Sequence, residues 1–72
     1  MVLSDAKAGS CYTIKKIELD LNVTRRLQVL GLTHGTKISV LNKKAFGPVI
    51  IRVRGTRFAV GKRFSDGIFL ED

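Results

Sequence analysis

Residues 22–41 read NVTRRLQVLGLTHGTKISVL, and within them the apolar residues change from helical spacing to strand spacing. Three of them recur at i, i+4 and i+7, the spacing of one helix face: Val23, Leu27 and Leu30. Asn22 is a residue type suited to the N-cap, and Gly31 suits the left-handed position that ends a helix. Residues 37–41 then alternate polar and apolar side chains. This stretch predicts a helix over residues 22–30 of about two turns, followed by a half-buried strand.

Alternation also marks residues 49–54 and, loosely, residues 11–19, whereas residues 57–61 are the expected return of a hairpin and residues 68–70 follow the turn signal Ser65-Asp66-Gly67. The predicted strands are residues 11–19, 37–41, 49–54, 57–61 and 68–70. Closure into a barrel is one way in which so short a chain can manage its sheet edges. We therefore expect an all-β fold with one short helix, arranged as a small, partly closed antiparallel barrel.

A hairpin is predicted between the third and fourth strands. Residues 55–56, Gly-Thr, suit a two-residue type II′ loop, which needs glycine at its first central position. Such a loop would pair Phe58 with Val53. It would also set Arg54 directly opposite Arg57, and like charges that face each other across two strands are destabilising.

The chain has the size of one domain, residues 1–72, and a strong positive charge. Thirteen Lys and Arg residues face six Asp and Glu residues, which gives a net charge of +7. Such a balance favours an acidic partner, whether nucleic acid, an anionic membrane surface or an acidic protein face. A domain this small buries only about 60% of the surface of its unfolded chain, which leaves little room for a deep catalytic cleft.

Residue types that could carry chemistry are few. The single histidine, His34, has no recognisable nucleophile beside it, the six acids are scattered, and no Gly-Lys-Ser/Thr phosphate loop occurs. Cys11 is the only cysteine, so it cannot form an internal disulfide, and it lies far from His34 in the sequence. We predict no enzyme activity, no cofactor and no metal site. Residues 1–12 lack a signal-peptide pattern, which together with the cysteine count favours the cytoplasm.

Residues 25–40, RRLQVLGLTHGTKISV, resemble the central segment of the FeoA family: a basic-Leu helix, a Leu-Gly-Leu turn and a Gly-Thr entry to a strand. Further segments that look like that family's pattern occur in the same order at residues 3–5, 9, 47–48, 51–55, 58–61 and 68–70. The resemblance covers nearly the whole chain, and the ordered succession is its specific part. Ala8 and His34 stand in loops where the family often has proline.

This resemblance implies a single SH3-like five-stranded β-barrel over residues 1–72. It also implies a small cytoplasmic accessory or regulatory protein of ferrous-iron transport. Its partner would be FeoB, a membrane transporter with a cytoplasmic GTP-binding part, through which the chain would be associated with the membrane. The family is known by no catalytic motif. The alternative function is a small basic β-barrel that binds nucleic acid.

Seven basic residues are the candidates for partner contact: Arg25, Arg26, Lys43, Lys44, Arg52, Arg54 and Arg57. Arg25 and Arg26 would occupy the first helical turn, where cations oppose the helix dipole. Arg52 would share a face of the hairpin with Arg54 and Arg57, with the two lysines in the preceding loop. A plain solvated basic face is the alternative interpretation of the same residues.

Apolar residues outside the strands give a second set of expectations. Leu21, Leu30, Leu32 and Phe46 are expected in the core, although one or two of them could instead form an exposed patch for protein contact. Phe58, Phe64 and Phe69 are also expected to face the core. That placement weakens the nucleic-acid alternative, because proteins that bind single strands stack bases on exposed aromatic side chains.

Overall fold

Five antiparallel strands form one sheet in the computed structural model, which describes residues 1–44 and 47–71. The strands are β1 Cys11–Ile17, β2 Lys37–Lys43, β3 Val49–Val53, β4 Thr56–Val60 and β5 Ile68–Leu70. Their order across the sheet is β4-β3-β2-β1-β5. Helix α1 spans Leu21–Val29, helix α2 spans Lys62–Ser65, and a 3₁₀ turn spans Leu3–Asp5. The predicted strands, the all-β class and the helix of about two turns are confirmed, and α2 is a second, four-residue helix.

Alternate strand residues supply the core. In β3, Val49, Ile51 and Val53 are buried whereas Arg52 is exposed, as the period-two pattern predicts. The buried apolar residues are Leu3, Ala6, Ile14, Leu27, Leu32, Ile38, Val40, Val49, Ile51, Val53, Val60, Ile68 and Leu70. Helix α1 contributes Leu27 to this core, and Val23 packs against it.

Helix α1 ends in a Schellman motif. Gly31 has φ 100°, and its amide donates to the carbonyl of Gln28 at 3.0 Å. The amide of Leu32 donates to the carbonyl of Leu27 at 2.9 Å, and both of these leucines are buried. This pattern of bonds and the apolar contact that accompanies it confirm the predicted end of the helix.

The start of α1 differs from the prediction. The helix begins at Leu21 with Asp20 as N-cap, so the assignment of Asn22 as N-cap is wrong. The amide of Thr24 donates to the carbonyl of Asp20 at 2.9 Å, which already closes a helical turn there. The Thr24 hydroxyl also donates to the carbonyl of Leu19 at 3.2 Å. This side-chain bond helps to hold the start of the helix, and the residue types near the cap did not predict it.

The β3–β4 hairpin has a different turn from the one predicted. Its central residues are Arg54 and Gly55, with φ 50° and 82°, and two successive positive φ angles are the mark of a type I′ turn. Val53 therefore pairs with Thr56. The physical reason is twist, because a type I′ turn matches the right-handed twist of the strands that it joins.

The new register keeps the predicted faces. Phe58 pairs with Ile51 instead of Val53, and Arg57 pairs with Arg52 instead of Arg54. This is a shift of two residues, and side chains alternate with a period of two, so every residue stays on its expected side. The predicted pairs were wrong, but the division into core and solvent faces was right.

Helix α2 was not predicted, because four residues are too few to show helical spacing. It starts after Gly61, whose carbonyl accepts bonds from Phe64 and Ser65 at 2.9 Å each. The chain then passes closely under the end of β1 at Gly67, where an added Cβ would lie 2.8 Å from the carbonyl oxygen of Glu18. Only glycine fits that approach without displacing its neighbours.

The two edge strands of the sheet differ in whether another segment pairs with them. The outer edge of β5 is partly covered by the start of the chain, since Val2 bridges Phe69 and the amide of Leu70 donates to the carbonyl of Met1 at 2.7 Å. Strand β4 ends the sheet on the other side, with no further strand beside it among the described residues. Across residues 1–44 and 47–71, no helix is long and apolar enough to span a bilayer.

Candidate partner-binding surface

Three arginines lie close together on the β3–β4 hairpin. Arg52 and Arg57 are direct cross-strand partners, and Arg54 is in the turn that joins the strands. All three are exposed. We call Arg52, Arg54 and Arg57 the hairpin arginines.

No carboxylate faces the hairpin arginines within the described ranges. The ion pairs found there are Lys16 with Glu18 at 2.9 Å and Lys62 with Asp66 at 3.6 Å, and both are exposed and lie elsewhere. Arg52 and Arg57 therefore meet across the hairpin as like charges, an arrangement that costs a fraction of a kcal/mol. An acidic group brought to this face would relieve that repulsion.

Arg54 has a second role, at the end of helix α1. A Cβ built on Gly31 would lie 3.3 Å from the Cδ of Arg54 and 3.2 Å from a methyl of Val53. The stem of Arg54 therefore lies against the glycine that terminates the helix. A cation near a helix C-terminus is favourable, because the last carbonyls carry a partial negative charge. Contact with α1 thus fixes part of this side chain.

Arg25 and Arg26 are not in the first turn of α1, so the expectation that they oppose the helix dipole there is wrong. The helix starts earlier than predicted, at Leu21, which moves Arg26 into its last turn. A cation in that position is favourable. Both arginines remain exposed, so they stay available for partner contact.

Lys43 was predicted to lie in the loop, but it belongs to β2. It pairs with Val49, whereas Arg52 pairs with Ser39, so Lys43 and Arg52 lie at different points along the β2–β3 ladder. Val49 and Arg52 are three positions apart along β3, which is about 10 Å. The structure therefore divides the predicted basic patch into two parts.

The second part includes a residue that sequence reasoning missed. Lys43 and Lys44 line a small polar cavity of about 20 Å³ together with Lys62, which helix α2 brings there from 18 residues further along the chain. Ser4 and Ser65 complete the polar lining. The pKa of the neighbouring Asp66 is lowered, chiefly by a hydrogen bond from the Ser4 side chain; desolvation opposes this, and the Lys62 ammonium adds to the lowering.

Several apolar side chains expected in the core are exposed. Leu32 is fully buried as expected, but Leu21 is 60% exposed and Leu30 is 44% exposed. Both belong to α1 or its cap, and of the predicted stripe only Val23 and Leu27 face the core. The expectation for Phe46 falls outside the described residues.

The three phenylalanines divide in the same way. Phe58 is half-buried and packs against the core. Phe69 lies between the buried Ile68 and Leu70, so it faces the opposite side of β5, where the Lys16 ammonium is 5.1 Å from its ring centre, and its expected core position is wrong. Phe64 is exposed, so its expected core position is wrong. It lies on α2, where its ring lines an open groove of about 480 Å³ with Leu19 and Val23.

The residues with metal-binding side chains do not converge. His34 is exposed and its Nδ1 bonds to the carbonyl of Lys15 at 2.6 Å, which ties the loop before β2 to β1. Cys11 is exposed with its Sγ 3.5 Å from the hydroxyl of Ser39. In the part of the chain that the structure describes, no three His, Cys, Asp or Glu side chains form a group that could hold a metal ion.

Together these features define a small SH3-like β-barrel protein with a basic hairpin at one end of its sheet. Residues 1–72 match the FeoA domain family. The chain therefore belongs to the FeoA family, whose members are accessory proteins of ferrous-iron transport.

Similar proteins support this assignment. A relative from Methanocaldococcus jannaschii named Fe(2+) transport protein A is 34% identical over 70 residues, which cover 97% of this chain and 84% of that protein. A crystal structure of an iron uptake regulatory protein (FeoA) matches with a TM-score of 0.90 at 34% identity, covering 99% of this chain and 95% of the other. The zinc complex of Stenotrophomonas maltophilia FeoA, described as a prokaryotic SH3 domain protein, shares the fold with a TM-score of 0.86 at 24% identity, covering 99% and 89%.

Proposed function

We propose that this chain is a cytoplasmic accessory protein that docks on the cytoplasmic GTP-binding part of the ferrous-iron transporter FeoB. It would be associated with the membrane only through that partner. Membership of the FeoA family supports a role in ferrous-iron transport, and the basic surface supports binding to an acidic protein face. The contact would be made by the hairpin arginines, with Arg25, Arg26, Lys43 and Lys44 as further candidates.

The observation that carries this proposal is the uncompensated charge of the hairpin. Arg52 and Arg57 face each other across two strands and are exposed, and neither forms an ion pair with a carboxylate among the described residues. Arginine is also the charged residue most often found at the energetic centre of protein interfaces. Complementary charge steers the encounter, and a buried arginine contact then slows dissociation.

We expect Arg52→Glu to weaken capture of the FeoB cytoplasmic part about tenfold or more, because it reverses the charge at the centre of the surface. The same change turns the like-charged pair with Arg57 into an opposite-charged pair, so the fold should be as stable as before or slightly more stable. The measurement is equilibrium binding to the recombinant FeoB part, with a thermal melt of each variant.

Lys7→Glu is the matched control, since it makes the same charge change at an exposed residue outside the hairpin. It should change binding only slightly. A folded Arg52→Glu variant that binds as tightly as the unchanged chain would remove this surface from the contact. FeoB captured from cells by the tagged chain should stay bound after nuclease treatment. Loss of the captured material on nuclease treatment would favour nucleic-acid binding instead.

A further inference from the structure

Strand β4 has a free hydrogen-bonding edge. It is the last strand of the sheet, and none of its backbone groups bonds to anything other than β3 in the described ranges. At the opposite end of the sheet, the start of the chain covers β5 through the Val2–Phe69 bridge. The β4 edge is therefore where an added strand could pair with this sheet.

The turn determines which backbone groups point outward. In a two-residue hairpin the residues that flank the turn, here Val53 and Thr56, bond to each other through both their N–H and C=O groups. Bonded and non-bonded pairs then alternate along the ladder. Arg57 and Ala59 are in non-bonded pairs, so their N–H and C=O groups face away from β3.

The side chains along this edge specify what could bind. Arg57 and Ala59 are exposed on the outer face, while Phe58 between them is half-buried on the core side. A residue opposite Arg57 on an added strand would have its side chain on the outer face, about 5.5 Å away between Cα atoms. A carboxylate there would meet Arg57 and the like-charged Arg52 beside it. The next residue along would face the Phe58 side, where an apolar side chain fits.

We propose that β4 binds an extended segment of the partner as a sixth, antiparallel strand, in which acidic residues alternate with apolar ones. The segment would pair its backbone with Arg57 and Ala59 and place its acidic side chains beside the hairpin arginines. Backbone bonds would supply affinity and the alternating side chains would supply specificity. The identity of the partner rests on the proposed function, whereas the binding mode rests on the free edge and the charge of β4.

Hydrogen exchange read by NMR tests this pairing residue by residue. In the free chain the amides of Arg57 and Ala59 should exchange quickly, while those of Phe58 and Val60, bonded to β3, should be protected. When the FeoB cytoplasmic part is bound, we expect exchange at Arg57 and Ala59 to slow about tenfold or more, as expected for the formation of a hydrogen bond of ordinary strength. Binding without that protection would overturn the proposed strand addition and leave the docking intact.

A peptide tests the binding mode without the transporter. The probe is acetyl-Thr-Glu-Val-Glu-Val-Glu-Thr-amide, and the control is acetyl-Thr-Glu-Glu-Glu-Val-Val-Thr-amide, which has the same composition and charge without the alternation. At millimolar concentration the probe, and not the control, should slow exchange at Arg57 and Ala59. If the transporter does not bind, the docking proposal fails and the peptide decides the binding mode. No protection by the probe would then overturn the strand addition.

Ala59→Pro removes one outward donor while leaving the bonds between β3 and β4 in place, and proline is tolerated on an edge strand when its missing N–H would face solvent. We expect binding of the FeoB part to weaken about tenfold, whereas Ala59→Ser, which keeps the amide, should stay within about twofold. A folded Ala59→Pro variant with unchanged affinity would contradict the proposal. Protection at Arg57 and Ala59 in the free chain at high concentration would show self-pairing of β4, which would also overturn it.

Discussion

Arg54 has a left-handed backbone conformation, with φ 50°, that few residue types other than glycine and asparagine adopt easily. The type I′ turn requires this conformation at its first central position. At the same time the stem of Arg54 contacts Gly31 at the end of α1. The residue thus combines a strained backbone with a contact that holds part of its side chain against α1.

We expect Arg54→Asn to stabilise the fold by about 0.5–1 kcal/mol, because Asn-Gly is the preferred pair for this turn and the strain at the first position is relieved. Thermal or urea unfolding measures the change. Arg54→Lys is the control, since it keeps a long cationic side chain and the strain, and should leave stability nearly unchanged. A stability loss on Arg54→Asn would show that the contact with α1 outweighs the backbone strain.

At the level of elements, the end of helix α1 lies against the β3–β4 hairpin. The helix ends at Gly31 in a Schellman motif, and this residue lies directly against Val53 and Arg54. Gly31 is therefore needed twice, once for its φ of 100° and once for the lack of a side chain. The same contact fixes the end of α1, with Arg26 in its last turn, against the hairpin that carries the other arginines.

We expect Gly31→Ala to cost about 2–3 kcal/mol, since it adds a steric clash to the strain of a positive φ. Gly35→Ala is the matched control, because Gly35 has φ 83° but an added Cβ would meet nothing within 4 Å. Its cost should be near 1 kcal/mol, the backbone strain alone. Urea unfolding of both variants gives the difference, and equal losses would show that the α1–hairpin contact is not tightly packed.

The charge of the whole molecule acts on the rate of encounter. With a net charge of +7 and two basic clusters at different places on the surface, an acidic partner is attracted before any contact forms. The hairpin arginines and a free β4 edge would then determine the bound orientation. The open groove beside Phe64 is apolar by comparison and contributes little to long-range attraction.

We expect the association rate with the FeoB cytoplasmic part to fall about tenfold or more between low and high salt, while the dissociation rate changes much less. Surface plasmon resonance across a salt series measures both rates. Arg52→Glu should have a shallower salt dependence than Lys7→Glu if the hairpin dominates the encounter. Identical slopes would assign the steering to the overall charge and not to the hairpin.

The sequence determined those features that depend on local spacing and on composition. Local signals located all five strands, period-two alternation assigned the faces of β2, β3 and β4, and Gly31 with Leu32 located the end of α1, since these signals are set by neighbouring residues. The family followed from the order of its short motifs. The β3–β4 register differs from the predicted one by two residues. Side chains alternate with a period of two, so each residue of the hairpin strands kept its predicted core or solvent face.

Tertiary structure decided what local spacing does not encode. The turn lies at Arg54-Gly55 because the twist of the sheet favours a type I′ hairpin, and Arg52 therefore pairs with Arg57. The tertiary structure separated Lys43 from the hairpin arginines and joined it with Lys62, which lies far away in the sequence. It also left Leu21, Leu30 and Phe64 exposed and one edge of the sheet unpaired, since burial and strand pairing depend on which elements finally pack together.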